Sequence, residues 1–164
     1  MQHDRKYFYR RTLPHILKDN RPLYVTFTTF LRWRMPTAAR AIALQCCVQL
    51  HQREIDLRIA VVMPDHVHLL FTPLRNAEGW LWSLPQILRL IKGRSARRIN
   101  QALARAGPVW QDEFFDHVLR GNECLNKKSE YIRQNPVRAG LVARAEDYPW
   151  LWCGGGASPR LDGA

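Results

Sequence analysis

The sequence has few acidic residues and few cysteines, and it lacks any long apolar run. Its 164 residues include 14 Asp and Glu against 25 Lys and Arg, which is a formal net charge of +11. No run approaches the roughly 20 apolar residues that a membrane-spanning helix needs, so we expect no membrane partner. Hydrophobic residues make up 46% of the chain, which suits a buried core and argues against disorder along the whole length.

The cysteines are also informative through what they lack. The four are Cys46, Cys47, Cys124 and Cys153, and none belongs to a C-x-x-C pair. This spacing does not indicate a zinc site, so we expect four reduced packing residues. The first six residues lack the apolar segment of a secretory signal, and we therefore expect a cytoplasmic protein.

The excess of positive charge points to a polyanionic partner. No acidic residue occurs between Glu78 and Asp112, and most of the basic residues in this interval fall off the apolar stripe of a predicted helix. Because solvated helix faces usually mix both signs, we interpret this basic face as a contact for the phosphates of a nucleic acid. The residues assigned to it are Arg89, Lys92, Arg94, Arg97 and Arg98. An anionic membrane or a plain solvated surface are the alternatives that charge alone leaves open.

Apolar periodicity predicts alternating strands and helices. We expect strands over Leu23–Phe30, Leu57–Met63, His66–Thr72 and Phe114–Arg120, and helices over Pro36–Gln52, Ser83–Ala106 and Glu123–Asn135, the last stopped by Pro136. This β-α-β-β-α-β order with an added helix matches the ferredoxin-like arrangement, an α+β class with an antiparallel sheet. We expect one domain over 1–152, with a basic and aromatic N-terminal arm over 1–21 and a flexible tail over 153–164.

Two histidines lie two positions apart in the third predicted strand. Side chains alternate between the faces of a strand, so His66 and His68 point to one face while Val67 and Leu69 point to the core. Two adjacent imidazoles can share a divalent metal ion. Two partly exposed histidines on a sheet face are the alternative, and an H-x-H pattern alone does not decide between them.

A second polar pair lies in the last predicted helix. Tyr131 and Asn135 are four positions apart, so they would share one helix face. Tyr131 could serve as a nucleophile, and the amide oxygen of Asn135 could be a third metal ligand. A tyrosine that packs in the core and a C-cap asparagine before Pro136 are the structural alternatives.

Several longer sequence segments help to decide between the functional and the structural interpretations. They are Val62–Leu70 (VMPDHVHLL), Val109–Gln111 (VWQ), Phe115–Arg120 (FDHVLR), Tyr131–Val142 (YIRQNPVRAGLV) and Tyr148–Trp150 (YPW). The first resembles the HUH motif of single-tyrosine transposases. Together they resemble the REP-associated tyrosine transposases, which are relatives of the bacterial insertion-sequence transposases, and the likeness covers about Tyr24 to Trp152.

The resemblance implies a metal-dependent single-stranded DNA endonuclease and strand transferase. In this reading His66 and His68 bind Mg²⁺ or Mn²⁺, Tyr131 forms a 5′-phosphotyrosine, and Asn135 completes the metal site. Insertion-sequence relatives usually carry a glutamine at the position of Asn135. Asp65 and His117 are candidates for supporting roles beside these groups.

The resemblance also implies a substrate and an assembly. The expected partner is a single-stranded region beside a DNA hairpin of the repetitive extragenic palindrome type. The expected state is a monomer whose tyrosine is supplied by the same chain. Two other functions stay open: a nucleic-acid-binding protein of this fold without activity, and a metal-dependent nuclease that uses an activated water.

Overall fold

The computed structural model describes residues 20–120 and 125–154. Within these ranges the elements are β1 Leu23–Thr29, α1 Thr37–Val48, β2 Ile55–Val62, β3 His66–Pro73, α2 Leu84–Ala102, β4 Trp110–Val118, α3 Leu125–Arg133, α4 Asn135–Arg138 and β5 Leu151–Cys153. Short 3₁₀ turns cover Phe30–Arg32 and Ala145–Asp147. Nearly all of the predicted N-terminal arm and tail, and Cys124, lie outside the described residues.

The strands form one antiparallel sheet in the order β4-β1-β3-β2-β5. The predicted hairpin joins β2 to β3 through Pro64 and Asp65, and the first four strands have the order of the split βαβ arrangement. The predicted α+β class with an antiparallel sheet is therefore confirmed. Strand β5, which pairs with β2 at the sheet edge, was not among the predicted elements because three residues are too few to show a period.

Alternation along β3 divides the protein into two packing layers. Val67 and Leu69 are fully buried and belong to the core that the sheet forms with α1 and α2. His66 and His68 lie on the opposite face, where α3 packs through its buried residue Ile132. The predicted division of β3 into a core face and a histidine face is thus what the structure shows.

Three helices end earlier than predicted, and the first of them, α1, stops at Val48, four residues before its predicted end. α2 stops at Ala102, four residues before its predicted end, and Ala104 then adopts a left-handed backbone with φ 48°. α3 ends at Arg133, and Pro136 lies inside the short helix α4 instead of stopping the last helix. Proline is tolerated in the first turn of a helix because its missing N–H would have no partner there. Asn135 therefore begins a new helix and does not share one with Tyr131.

Strand β4 begins four residues before its predicted start and is irregular. Phe27 pairs with Phe114, whereas Thr29, two positions on, pairs with Trp110, four positions away. The extra residues of β4 form a bulge over 111–113. Bulges bend a strand and redirect its side chains, and they are common beside active sites.

Two further predictions concern composition. No helix among the described residues is long and apolar enough to cross a membrane. The three described cysteines are free thiols, and Cys46 and Cys47 are buried. Burial raises the pKa of both thiols, which agrees with a packing role.

Candidate active site

A cleft of about 210 Å³ opens on the histidine face of the sheet. Its lining brings His66 and His68 of β3 together with Tyr131 of α3. Tyr24 and Thr26 of β1 line the same cleft, because β1 pairs with β3 and Thr26 lies directly opposite His68. The predicted histidine pair and the predicted nucleophile therefore meet in one site, although they lie far apart in sequence.

His68 is held by two hydroxyl groups. Its Nδ1 lies 2.7 Å from Thr26 Oγ1 and 3.0 Å from Tyr24 Oη. The side chain is 9% exposed, so these contacts replace water around the ring. Burial raises the pKa of the Tyr24 phenol above its usual value and outweighs the opposing hydrogen bond from Thr26. Tyr24 therefore stays protonated near neutral pH.

His66 is held by a carboxylate. Its Nδ1 lies 2.7 Å from Oδ1 of Asp65, the preceding residue. The second oxygen of Asp65 lies 3.7 Å from Arg32 Nε, and Arg32 also lines the cleft. Asp65 thus lies where it can orient the imidazole of His66. The two imidazole rings lie 4.7 Å apart between centroids with their planes at 81°.

This arrangement suits a divalent ion at the two imidazoles. Both Nδ1 atoms are engaged, so a metal would be bound through the Nε2 atoms. For His68 this requires the tautomer with the proton on Nδ1, which then donates to a hydroxyl oxygen of Thr26 or Tyr24. No group of three His, Cys, Asp or Glu residues close enough to hold a metal occurs in the part of the chain that the structure describes. A further ligand would therefore be a group of another kind, such as an amide, a hydroxyl, a water or the substrate.

Tyr131 is half exposed and lies among cations. The guanidinium of Arg138 is 4.2 Å from the centroid of its ring, and Lys128 Nζ is 5.5 Å from the same centroid. Lys128 Nζ also lies 4.6 Å from the ring centroid of Tyr24. Two positive side chains therefore flank the phenol at the cleft, where a phosphate would bring negative charge.

Asn135 and His117 lie outside the lining of this cleft. Asn135 Oδ1 accepts a hydrogen bond of 3.0 Å from Arg138, and its Nδ2 has no partner among the described residues. His117 pairs with Tyr24 across β1 and β4, one row of side chains beyond the row of Thr26 and His68. The structure thus places Asn135 beside Tyr131 through Arg138, and places His117 beside Tyr24 on the sheet.

Only part of the predicted basic face of α2 is exposed to solvent. Arg89, Arg94 and Arg97 are exposed. Arg98 turns to α1, where it donates to Gln45 Oε1 and Cys46 Sγ. Helix α2 also packs on the face of the sheet opposite the histidines. A DNA strand that reached both the cleft and this helix would have to pass around the edge of the sheet.

Lys92 is directed inward, to the bulge of β4. Its ammonium donates to the carbonyl oxygens of Gln111, Asp112 and Glu113 at 2.8, 3.1 and 3.4 Å. Burial lowers the pKa of Lys92 to about 8, and the attraction of Asp112 and Glu113 offsets this only in part. Lys92 therefore holds the strand that supplies Glu113, Phe114 and Phe115 to the cleft.

Sequence reasoning did not identify several residues that build the site. Tyr24 and Thr26 could have been found, since they alternate on one face of β1 opposite the core residues Val25 and Phe27. Arg32, Glu113, Lys128 and Arg138 carry no such signal. They reach the cleft or Tyr131 through turns, a bulge and helix packing that no sequence period encodes.

The sequence pattern described as Transposase IS200 like matches residues 33–135, which include both histidines and Tyr131. A REP-associated tyrosine transposase of Escherichia coli is 26% identical over 100 residues, which cover 60% of this chain and 54% of the relative. A candidate REP-associated tyrosine transposase of Haemophilus influenzae is 28% identical over 94 residues, which cover 54% of this chain and 53% of the relative. The chain thus spans about half the length of the curated relatives it matches.

Solved structures share the fold. A REP-associated tyrosine transposase bound to a REP hairpin has a TM-score of 0.62 and 21% identity, over 92% of this chain and 82% of that chain. A bacterial tRNA(His) guanylyltransferase-like protein in complex with GTP has a TM-score of 0.52 and 13% identity, over 83% of this chain and 73% of that chain. Two such different proteins show that the fold alone does not decide the function. The matched sequence pattern covers more than half of the chain, which therefore belongs to the family of IS200-like transposases.

Proposed function

We propose that the chain is a divalent-metal-dependent endonuclease and strand transferase for single-stranded DNA, with Tyr131 as its nucleophile. The observation that carries this proposal is the cleft in which Tyr131 meets His66 and His68. A protein that only bound DNA would need the basic residues, but it would not need two oriented imidazoles beside a half-exposed phenol. Membership of a transposase family agrees with this assignment.

The proposed reaction is a transfer of the phosphate from DNA to tyrosine. The phenol oxygen of Tyr131 loses its proton and bonds to phosphorus, while the bond from phosphorus to the 3′-oxygen breaks and that oxygen takes up one proton. The products are a 5′-phosphotyrosine and a free 3′-OH. The bond energy is kept in the phosphotyrosine, so attack by another 3′-OH rejoins DNA without ATP. Lys128 and Arg138 lie where their charges would attract the phosphate.

The metal site is proposed on His66 and His68, with Asn135, which lies outside the cleft lining, as the third ligand. The carbonyl oxygen of an amide has two lone pairs, so the bond from Arg138 leaves Asn135 Oδ1 one lone pair for a cation. Bound Mg²⁺ or Mn²⁺ would offset the negative charge of the phosphate oxygens and of the leaving 3′-oxygen. Neutral imidazole and amide ligands suit this task because they add no negative charge of their own.

The proposed substrate is a single strand beside a DNA hairpin. A duplex would keep its scissile phosphate away from one small cleft, whereas an unpaired strand can enter it. The structural neighbour bound to a REP hairpin supports the hairpin as the neighbouring element. The exposed arginines of α2 would then meet the hairpin stem on the far side of the sheet.

We also propose that the chain works as a monomer. The histidines and Tyr131 line one cleft within a single chain, so a second chain is not needed to complete it. Size-exclusion chromatography with light scattering should give a mass near 19.2 kDa. A mass twice as large would contradict this part of the proposal.

A covalent-adduct assay tests the proposed function. The probe is a labelled DNA hairpin with a single-stranded flank, incubated with Mn²⁺ and run on a denaturing gel. We expect a metal-dependent protein–DNA band for the wild type, no band for Tyr131→Phe, and a retained band for Tyr148→Phe. Tyr148 is a suitable control because its hydroxyl is buried outside the cleft, where it donates to the main-chain oxygen of Val62 at 2.8 Å.

The other outcomes separate the alternatives. Free cleavage products without a band, unchanged in Tyr131→Phe, would establish a nuclease that uses activated water. Tight hairpin binding with neither a band nor products, with Mn²⁺ and again with Mg²⁺, would establish a binding protein without activity. Each of these results contradicts the proposal.

A further inference from the structure

The turn between β1 and α1 holds two adjacent residues in a left-handed backbone. Leu31 has φ 51° and ψ 30°, and Arg32 has φ 57°. Residues with a Cβ avoid this region because the Cβ approaches the following carbonyl oxygen. Neither position is a glycine, so the turn is strained at both. Strain of this kind persists only where the surrounding structure enforces it, and it is concentrated at functional sites.

The ends of the turn are fixed by hydrogen bonds. Thr29 is fully buried, and its N–H donates to the main-chain oxygen of Asp65 at 2.9 Å. Its hydroxyl donates to the main-chain oxygen of Trp33 at 2.7 Å. The N–H of Phe30 donates to the main-chain oxygen of Val109 at 2.8 Å. Residues 30–32 must therefore reverse the direction of the chain between these fixed ends. The turn lies directly beside Asp65, which contacts His66.

The side chains of this turn are exposed to solvent. Leu31 is 79% exposed and Phe30 is 41% exposed. The side chain of Arg32 is 60% exposed, and it lines the cleft that contains His66 and Tyr131. The turn thus presents an apolar side chain and a cation to solvent at the edge of the cleft. Burial in the folded chain does not compensate for the strain.

We propose that the turn Phe30–Arg32 is a DNA-contacting element, in which Leu31 packs on an unpaired base beside the scissile phosphate and Arg32 binds a phosphate oxygen. This inference rests on the proposed function and adds which part of the substrate binds at the edge of the cleft. Single-stranded DNA fits because each nucleotide joins a flat apolar face to an anion. A duplex hides its base faces in the stack, so it could satisfy Arg32 but not Leu31.

The substitution Leu31→Gly tests this assignment because it should stabilise the protein by relieving backbone strain and weaken DNA binding by removing the contact. Glycine adopts φ near +50° without a steric cost, so we expect the melting temperature to rise by about 1–3 °C. Loss of the side chain should raise the Kd for a single-stranded oligonucleotide about 5-fold or more, because the apolar surface buried between Leu31 and the base is lost. The matched control is Gln52→Gly, since Gln52 is exposed with φ 61° at the end of the sheet away from the cleft. It should raise the melting temperature similarly and leave the Kd unchanged.

Arg32→Asn tests the second contact. Asparagine tolerates the left-handed backbone, so the variant should fold as the wild type does. We expect weaker binding and a slope of log K against log salt that is less steep by about 0.7, which corresponds to one lost phosphate contact on a single strand.

Three results would overturn the inference. The first is a Kd for Leu31→Gly equal to that of the wild type. The second is a fall in its melting temperature, because the turn would then not be strained. The third is a wild-type dimer that Leu31→Gly converts to a monomer, because the turn would then contact a second copy. Failure of the proposed function looks different: DNA binding weakens in Leu31→Gly as expected, but no adduct forms in the wild type.

Discussion

Arg138 donates a hydrogen bond of 2.7 Å to the main-chain oxygen of Tyr131, and its guanidinium lies 4.2 Å from the centroid of the same residue's ring. The same guanidinium donates to Asn135 Oδ1 at 3.0 Å. Arg138 ends α4, so one planar side chain joins this short helix to the proposed nucleophile on α3. The orientation of Tyr131 therefore depends on a residue seven positions further along the chain.

Arg138→Lys should slow adduct formation by about 10-fold or more while DNA affinity changes less than about 2-fold. A lysine keeps the charge but cannot donate in two directions and stack on a ring at once, and small misplacements of a nucleophile are costly. Single-turnover rates at saturating DNA and Kd values measured separately provide the test. Arg144→Lys is the control, since Arg144 makes a comparable pair of bonds to Asp147 outside the cleft. Equal rates for Arg138→Lys and the control would contradict a positioning role.

Thr26→Val should lower the affinity for Mn²⁺ about 10-fold or more, because groups that orient a ligating histidine typically contribute that much to metal affinity. Valine keeps the shape but removes the hydroxyl that lies 2.7 Å from His68 Nδ1. Isothermal titration with Mn²⁺ measures the effect without reference to activity. Thr28→Val is the control, as Thr28 lines the same cleft opposite His66. An equal loss in both variants would point to a general change in the cleft and not to His68.

Lys92 should make stability depend on pH. Its pKa falls from 10.5 to about 8 on folding, chiefly through burial, so between these values the unfolded chain binds more protons. The free energy of unfolding should therefore rise from pH 8 to pH 10.5, relative to Lys92→Met, by at most about 3 kcal/mol. Denaturant titrations of both proteins across this range give the difference, which cancels the effect of the other basic groups. If the difference in free energy of unfolding between the two proteins does not change with pH, burial does not disfavour the charged form of Lys92.

The double substitution Arg94→Gln and Arg97→Gln should weaken binding of a long hairpin but not of a short single strand. Both arginines are exposed on α2, which covers the face of the sheet opposite the cleft. Only a substrate that passes around the sheet edge can reach both surfaces. Fluorescence anisotropy with the two DNAs at several salt concentrations makes the comparison. Equal weakening for both DNAs would mean that the path of the DNA differs from the one proposed.

Alternation along a strand correctly predicted which residues of β3 face the cleft and which face the core. Helix periodicity was wrong for Tyr131 and Asn135, because the helix ends between them. His66 and His68 share a face, and Val67 and Leu69 fill the core, because alternation in a strand is a local property. Tyr131 and Asn135 were placed on one helix, yet α3 ends between them at Arg133. Their link in the structure is Arg138, and a side-chain bond across a helix junction has no sequence period.

The basic residues of α2 show a second limit of sequence reasoning. The helix period correctly places Arg89, Arg94 and Arg97 away from the apolar stripe. It cannot show that the long side chain of Lys92 turns to the bulge of β4, or that Arg98 turns to α1. These contacts depend on packing between elements that are distant in sequence, and a charge count treats all five residues alike.

Mass spectrometry of the digested protein–DNA adduct shows directly whether Tyr131 carries the covalent bond to DNA. Tyr24 is the informative competitor, because its hydroxyl lies in the same cleft beside His68. We expect a nucleotide 5′-phosphate on the peptide that contains Tyr131, and an unmodified Tyr24 peptide. A modified Tyr24 peptide, or cleaved DNA with neither peptide modified, would contradict the assignment of Tyr131 as the nucleophile.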